Sequence, residues 1–300
     1  MHDLIIIGAG PAGITASVYA ARKRLDFIVI TKDIGGQAAW SGDIENYTGY
    51  QFITGPDLAA KFEEHMRKYD IEVEEGEEAR EVRKADSIIK VKTSGDEYEA
   101  RAVIIASGKV SRELGVPGEK KFKNRGLTYC ATCDGPLFAG RDVAIIGGGN
   151  SALDAALQLV KIAKRVYIVN NMPRLGGDAV MREKVEENKI VTVLNNAQVT
   201  AIEGDRMVER IRIRRAGREE TIAVGGVFVE IGLIPNSGFA ADVVKNEQGE
   251  IKVNSNNETN VPGIFAAGDV TDVPEKQIII AAGEGSKAAL SAFKYLSKSK

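Results

Sequence analysis

Two stretches of this chain carry the same succession of hydrophobic and polar patterns. In the first, residues 3–7 form a short apolar run ending in glycine, 11–24 repeat apolar positions at helical spacing, and 27–30 are apolar again. A short continuous apolar run reads as a strand buried on both faces, and a 3.6-residue period reads as a helix. In the second, the runs 142–146 and 165–169 flank a helical stretch at 151–163. The linking loops are Gly8-Ala9-Gly10-Pro11-Ala12-Gly13 and Gly147-Gly148-Gly149-Asn150-Ser151-Ala152. A strand–glycine loop–helix–strand unit of about 30 residues is the setting in which such glycines let a pyrophosphate approach a helix N-terminus. The chain therefore reads as an internal duplication of dinucleotide-binding units.

The rest of the pattern places these units in domains. Residues 102–108 and 227–232 read as buried strands closing the two sheets, and 88–93 and 207–213 as antiparallel ribbons. Gly- and Pro-containing stretches at 112–118 and 234–238 are natural crossings between domains. After the second crossing, 263–269 predicts a strand ending in Gly268-Asp269, and 277–296 a long amphipathic helix. That strand has to return to the first sheet. The expected fold is α/β, with two Rossmann-like, three-layer ββα domains, the second inserted in the first. The expected boundaries are 1–113 with 236–300, and 114–235. A separate helix is expected at 56–69, with Leu58, Ala59, Phe62 and Met66 on one face. His65 adjoins that face with no carboxylate or thiol nearby in sequence, and is read as solvated or capping.

Composition narrows the classes. Lys+Arg at 40 against Asp+Glu at 42 leaves no global field to draw in nucleic acid or an anionic membrane. The alternation Arg210, Arg212, Arg214 reads as a strand with one wet, charged face. No apolar stretch approaches the roughly 18 residues needed to span a bilayer. Asp3 stands where a secretory signal would be positive, so a cytoplasmic protein without processing is expected.

The only two cysteines sit together in Cys130-Ala131-Thr132-Cys133, between the two glycine loops. The two histidines, His2 and His65, are remote in sequence from this pair, so an ordinary Cys/His four-ligand zinc site cannot be built at this locus, and no metal is expected. A Cys-x-x-Cys pair in a reducing compartment reads as a redox dithiol rather than a staple. A dithiol beside two dinucleotide loops is what moving an electron pair from a nicotinamide, through a flavin, to a disulfide requires.

Residues 8–13, Gly35-Gly36-Gln37, Glu45-Asn46-Tyr47, 130–134, 147–152 and Gly268-Asp269 resemble the low-molecular-weight thioredoxin reductases. They equally resemble the flavoprotein subunit of alkyl hydroperoxide reductase, to which 43–47, 134–138 and 277–285 are especially similar. The likeness extends over essentially the whole chain. The alkyl hydroperoxide flavoprotein carries an N-terminal thioredoxin-like module, for which a first strand at residue 3 is expected to leave no room. One departure is Thr48, where the family often has proline.

The resemblance implies a homodimer that binds FAD in the split domain and a nicotinamide dinucleotide in the inserted one. It puts FAD contacts on Gly10, Ala12, Gly36, Gln37, Asn46, Asp269, Gln277 and Ile278, within loops that also contain Gly8, Pro11, Gly13, Gly35 and Gly268. The dinucleotide falls on Gly147, Gly149, Asn150, Ser151 and Asn170. It also implies that Cys133 lies nearer the flavin, that Cys130 meets a thioredoxin- or glutaredoxin-like disulfide, and that Asp134 moves the proton. A carboxylate beside a thiol raises its pKa, which suits Asp134 to proton delivery. NADP-specific members clamp the 2′-phosphate with arginines where this chain has Asn170, Asn171 and Met172, so NADH is the expected donor over NADPH. A ferredoxin- or deazaflavin-linked thioredoxin reductase, a dithiol oxidase and a non-catalytic flavin-binding protein remain open on the same scaffold.

Overall fold

The computed structural model describes residues 1–41, 43–44, 46–129 and 131–298, apart from the side chains of Asp43, Thr132 and Cys133. The chain divides into two compact units, one formed by Met1–Val110 with Ile234–Lys300 and the other by Ser111–Leu233.

In the split unit the strands run in the order Glu72–Glu75, Phe27–Ile34, His2–Ala9, Glu97–Ile105, Ile88–Thr93, Ala79–Ala85. The first four are parallel. The last two turn antiparallel, as the alternation at 88–93 predicts. The returning strand Ile264–Ala266 pairs in parallel with the second half of Glu97–Ile105. The strand His2–Ala9 is apolar and buried from Leu4 to Ile7 because both its faces are covered there. Leu4 and Ile6 pack with the helices Pro11–Arg22 and Ile278–Lys298, while Ile5 and Ile7 pack with Val82, Ile89, Val91 and Ile251. The two helices lie very close: a Cβ on Gly285 would sit 2.0 Å from the carbonyl oxygen of Ala12. Thr54 caps the helix Gly55–Arg67 by accepting the Asp57 N–H, and that helix buries Leu58, Ala59 and Met66 as its pattern predicts.

The inserted unit repeats the plan. Its parallel sheet runs Leu127–Thr128, Gly226–Val229, Asp142–Ile146, Arg165–Val169, Val191–Leu194. Val143 and Ile145 meet Leu153, Ala156 and Leu159 of the helix Asn150–Leu159, and Ala144 and Ile146 meet the antiparallel three-stranded sheet. That helix ends earlier than its apolar period suggests, in a turn over residues 160–162. In the antiparallel sheet the strand Arg210–Arg215 is central and starts later than position 207. Ile211 and Ile213 are buried on one face. Arg210 and Arg212 pair with Glu203, and Arg214 with Glu219, on the other. Among the described residues, no helix is long and apolar enough to cross a membrane.

Candidate functional site

Both glycine loops end in a helix that presents bare N–H groups. The helices Pro11–Arg22 and Asn150–Leu159 start from Gly10 and Gly149, with no side-chain cap and no acid in the first turn. Uncapped donors and the dipole make such an end attractive to an anion. A Cβ on Gly10 or Gly149 would meet nothing within 4 Å, so each loop has open space in front of it. Behind the first loop there is none, since a Cβ on Gly13 would lie 1.8 Å from the Gly8 carbonyl oxygen. The residues present fit a dinucleotide at each loop.

In the split unit three of the remaining FAD candidates, Gly35, Gly36 and Gly268, lie against the first loop. Gly35 donates its N–H to the Ala9 carbonyl, and a Cβ on Gly36 would come within 3.2 Å of the Gly10 Cα. Gly268 lies against Ala12, where its Cβ would come within 3.0 Å of the Ala12 Cβ. Gln37 donates to the Lys109 carbonyl at 3.0 Å, and Asn46 to the Gln277 side chain at 3.0 Å. Ile278 opens the last helix and packs on Ile44, Ile53 and Leu58. Glu45, in the same motif as Asn46, lies outside the described residues.

Three charged groups beside Asp269 carry no local sequence signal. Glu250 accepts from Lys109 at 2.8 Å, is 3.1 Å from Lys276, and accepts from Asn246 at 2.6 Å. Burial would raise the Glu250 carboxyl, but the hydrogen bonds from Lys109, Asn246 and Lys276 overcome it and hold it down at about 2. Burial pushes the Asp269 carboxyl up, and the two lysines oppose this. The buried Glu284 accepts the Gly268 N–H at 2.8 Å, fixing the Gly-Asp turn.

The inserted unit holds a cleft of about 910 Å³ at the carboxyl ends of its strands. Gly147, Gly149, Asn150, Ser151 and Asn170 line it, together with Arg112, Arg174 and Glu230. A cleft at the point where strand order reverses is where open α/β sheets bind ligands. Asn170 is only 2% exposed. Its Nδ2 donates to the Met172 carbonyl and to Asn195 Oδ1, and its Oδ1 accepts the Met172 N–H. Both amide hydrogens are thus committed to the loop, and what Asn170 offers a ribose hydroxyl is its second acceptor lone pair. Asn150 accepts the Asp178 N–H at 2.7 Å, and Gly176 donates to the Gly148 carbonyl, so the loop after Arg165–Val169 is tied to the glycines.

Residues Ala131–Asp134 form one helical turn leading into the 3-10 turn Gly135–Phe138. Cys130 and the Cys133 side chain lie outside the described residues. Thr128 donates to Asp134 Oδ2 at 2.5 Å, which orients the carboxylate. Glu119, 2% exposed, accepts from Leu114 N, Gly115 N and the Tyr129 hydroxyl, pinning the residue before Cys130. Burial and that bond push the Tyr129 hydroxyl well above its ordinary value. Burial pushes the Glu230 carboxyl up to about 8; the Ala131 N–H it accepts opposes this, and the Asp154 carboxylate adds to it. Thr128, Glu119 and Glu230 went unread in the sequence. Only Glu230 had a signal, a charge interrupting an apolar run.

Residues 2–285 match the family described as pyridine nucleotide-disulphide oxidoreductase. The chain is 44% identical over 98% of its length to an NADH dehydrogenase of Ferdinandcohnia aciditolerans, covering 57% of that protein. It is 42% identical over 98% of its length to the F subunit of alkyl hydroperoxide reductase from Staphylococcus aureus, covering 59% of it. The chain thus spans less than two-thirds of the length of these curated relatives. Among solved structures it is similar to thioredoxin reductase of Lactococcus lactis in the FR conformation, at a TM-score of 0.88 and 32% identity, covering 99% of this chain and 100% of that one.

Proposed function

Because this chain belongs to the pyridine nucleotide-disulphide oxidoreductase family, we propose that it is an FAD-dependent disulfide reductase that takes electrons from NADH and delivers them to a thioredoxin- or glutaredoxin-like protein, as a homodimer. The observation that carries this reading is the pair of glycine loops with uncapped helix N-termini, together with a Cys-x-x-Cys motif in the inserted stretch. FAD, when bound, supplies the two-electron relay between nicotinamide and dithiol. The main-chain N–H groups after Gly10 and Gly149 would hold the two pyrophosphates.

In the exit step the Cys130 thiolate attacks one sulfur of the external disulfide. That forms a mixed disulfide and releases one thiolate, which takes up a proton. The Cys133 thiolate then attacks Cys130, closing the internal disulfide and releasing the second thiolate, which is protonated in turn. Two electrons leave the dithiol, and the partner gains two electrons and two protons. In this reading Asp134, whose carboxylate accepts a hydrogen bond from Thr128, hands over the proton.

A second reading has a specific observation behind it, the relative named NADH dehydrogenase. In that case electrons leave the flavin for a small acceptor and the cysteines are bypassed.

Anaerobic titration of the yellow, FAD-containing protein with NADH and NADPH tests the donor. No arginine follows Arg165–Val169 until Arg174, and each charge-assisted contact that a phosphate clamp would add contributes roughly 1.5–3 kcal/mol. NADH should therefore bleach the flavin at least ~10-fold faster than NADPH. Equal rates would overturn the donor assignment, and a colourless protein that takes up no FAD would end the whole reading.

A further inference from the structure

Glu230 has no part in the electron route proposed above, yet it occupies the junction of the inserted unit. It follows the strand Gly226–Val229, which lies between two parallel neighbours. One neighbour, Leu127–Thr128, leads to the turn Ala131–Asp134; the other, Asp142–Ile146, leads to Gly147. The Glu230 N–H donates to the Ile146 carbonyl at 2.8 Å. Its carboxyl accepts the Ala131 N–H, and the residue lines the cleft beside the glycine loop. Among the described residues its carboxyl has no ion-pair partner. The charged groups around it are Asp154 from the helix Asn150–Leu159, and Arg112 and Arg174 on the cleft wall.

A dinucleotide entering this cleft brings two phosphate charges and displaces water. An ionised carboxylate on the wall would lose solvation and face like charge, whereas a neutral carboxyl avoids both costs and gains an O–H donor. We propose that Glu230 is the proton-uptake residue of the nucleotide cleft, so that a dinucleotide binds preferentially to the form in which this carboxyl carries a proton. The inference rests on the reading that the cleft takes the dinucleotide. By linkage, binding then draws a proton from solution. Because burial sets the half-ionisation of the free protein at about 8, affinity should weaken about tenfold between pH 7 and pH 9, where the carboxyl becomes charged.

The test is calorimetric titration of the oxidised, FAD-containing protein with tetrahydro-NAD, a non-reducing relative of NADH. Oxidised cysteines have no thiol proton to exchange. Two buffers of different ionisation enthalpy, each at pH 7, 8 and 9, count the protons. The wild type should take up about half a proton per site at pH 8 and show the tenfold loss of affinity at pH 9. E230Q should show neither, an outcome that a purely structural role for Glu230 does not produce. Zero uptake by the wild type at pH 8, or the same uptake in E230Q, overturns the inference while leaving the cleft assignment standing. Absence of binding by both proteins at every pH overturns the cleft assignment, and the inference with it.

Discussion

Cys133→Ser is expected to leave NADH-driven bleaching of the flavin intact and to lower protein disulfide reduction by at least about a thousandfold. A serine hydroxyl neither forms a disulfide with Cys130 nor attacks a mixed disulfide at neutral pH, since only a thiolate is both ionised and nucleophilic enough. Electrons would enter and have no exit. With the dithiol broken, a reduced Cys130 should trap its partner as a stable mixed disulfide, visible by mass spectrometry and released by a small thiol. Undiminished reduction of thioredoxin-like disulfides would show the cysteine pair to be incidental. Loss of that activity, with oxidation of NADH by a small acceptor unchanged, would confine the cysteines to one of two exits.

Glu250→Gln should destabilise the split unit by about 2 kcal/mol at pH 7, after allowing for water on the open side of the cluster. The substitution removes the carboxylate that pairs with both Lys109 and Lys276, leaving two ammonium groups without that shared partner. Lys109 is only 12% exposed. The sign of the pH dependence follows from the depressed carboxyl. Its contribution is complete above the ordinary value of 4.5 and is lost as pH falls towards 2. The gap between wild type and variant in urea midpoint should therefore shrink by more than half between pH 7 and pH 3. A constant gap would show that Glu250 acts by shape alone.

Both glycine units were legible in the sequence because everything that specifies them is local: an apolar run, a loop, a helix period and a second run. The return of Ile264–Ala266 to the first sheet followed from connectivity, since a strand placed after an inserted domain has a single sheet to rejoin. The charged groups were illegible because their partners are remote. Lys109 and Glu250 are 141 positions apart, and Asn170 spends its amide on Asn195, 25 positions on. Neither separation leaves a periodic trace. Asn170 was read as a dinucleotide contact, and its hydrogen bonds show that it also holds its own loop together. Glu119 stands in a lysine-rich stretch with nothing local to single it out, although two backbone N–H groups and a tyrosine hydroxyl converge on it.

The inserted unit begins and ends at neighbouring points, for the Arg112 N–H donates to the Gly232 carbonyl at 3.0 Å. A segment whose two ends already touch can be lifted out or grafted without a spacer, because closing it adds little loop entropy. Residues 111–233 are accordingly a self-bounded cassette. Expressed alone, the cassette would carry the nucleotide cleft and both cysteines without the split unit. Spliced into a tight surface turn of an unrelated host, it would occupy the space of a two-residue insertion at its base.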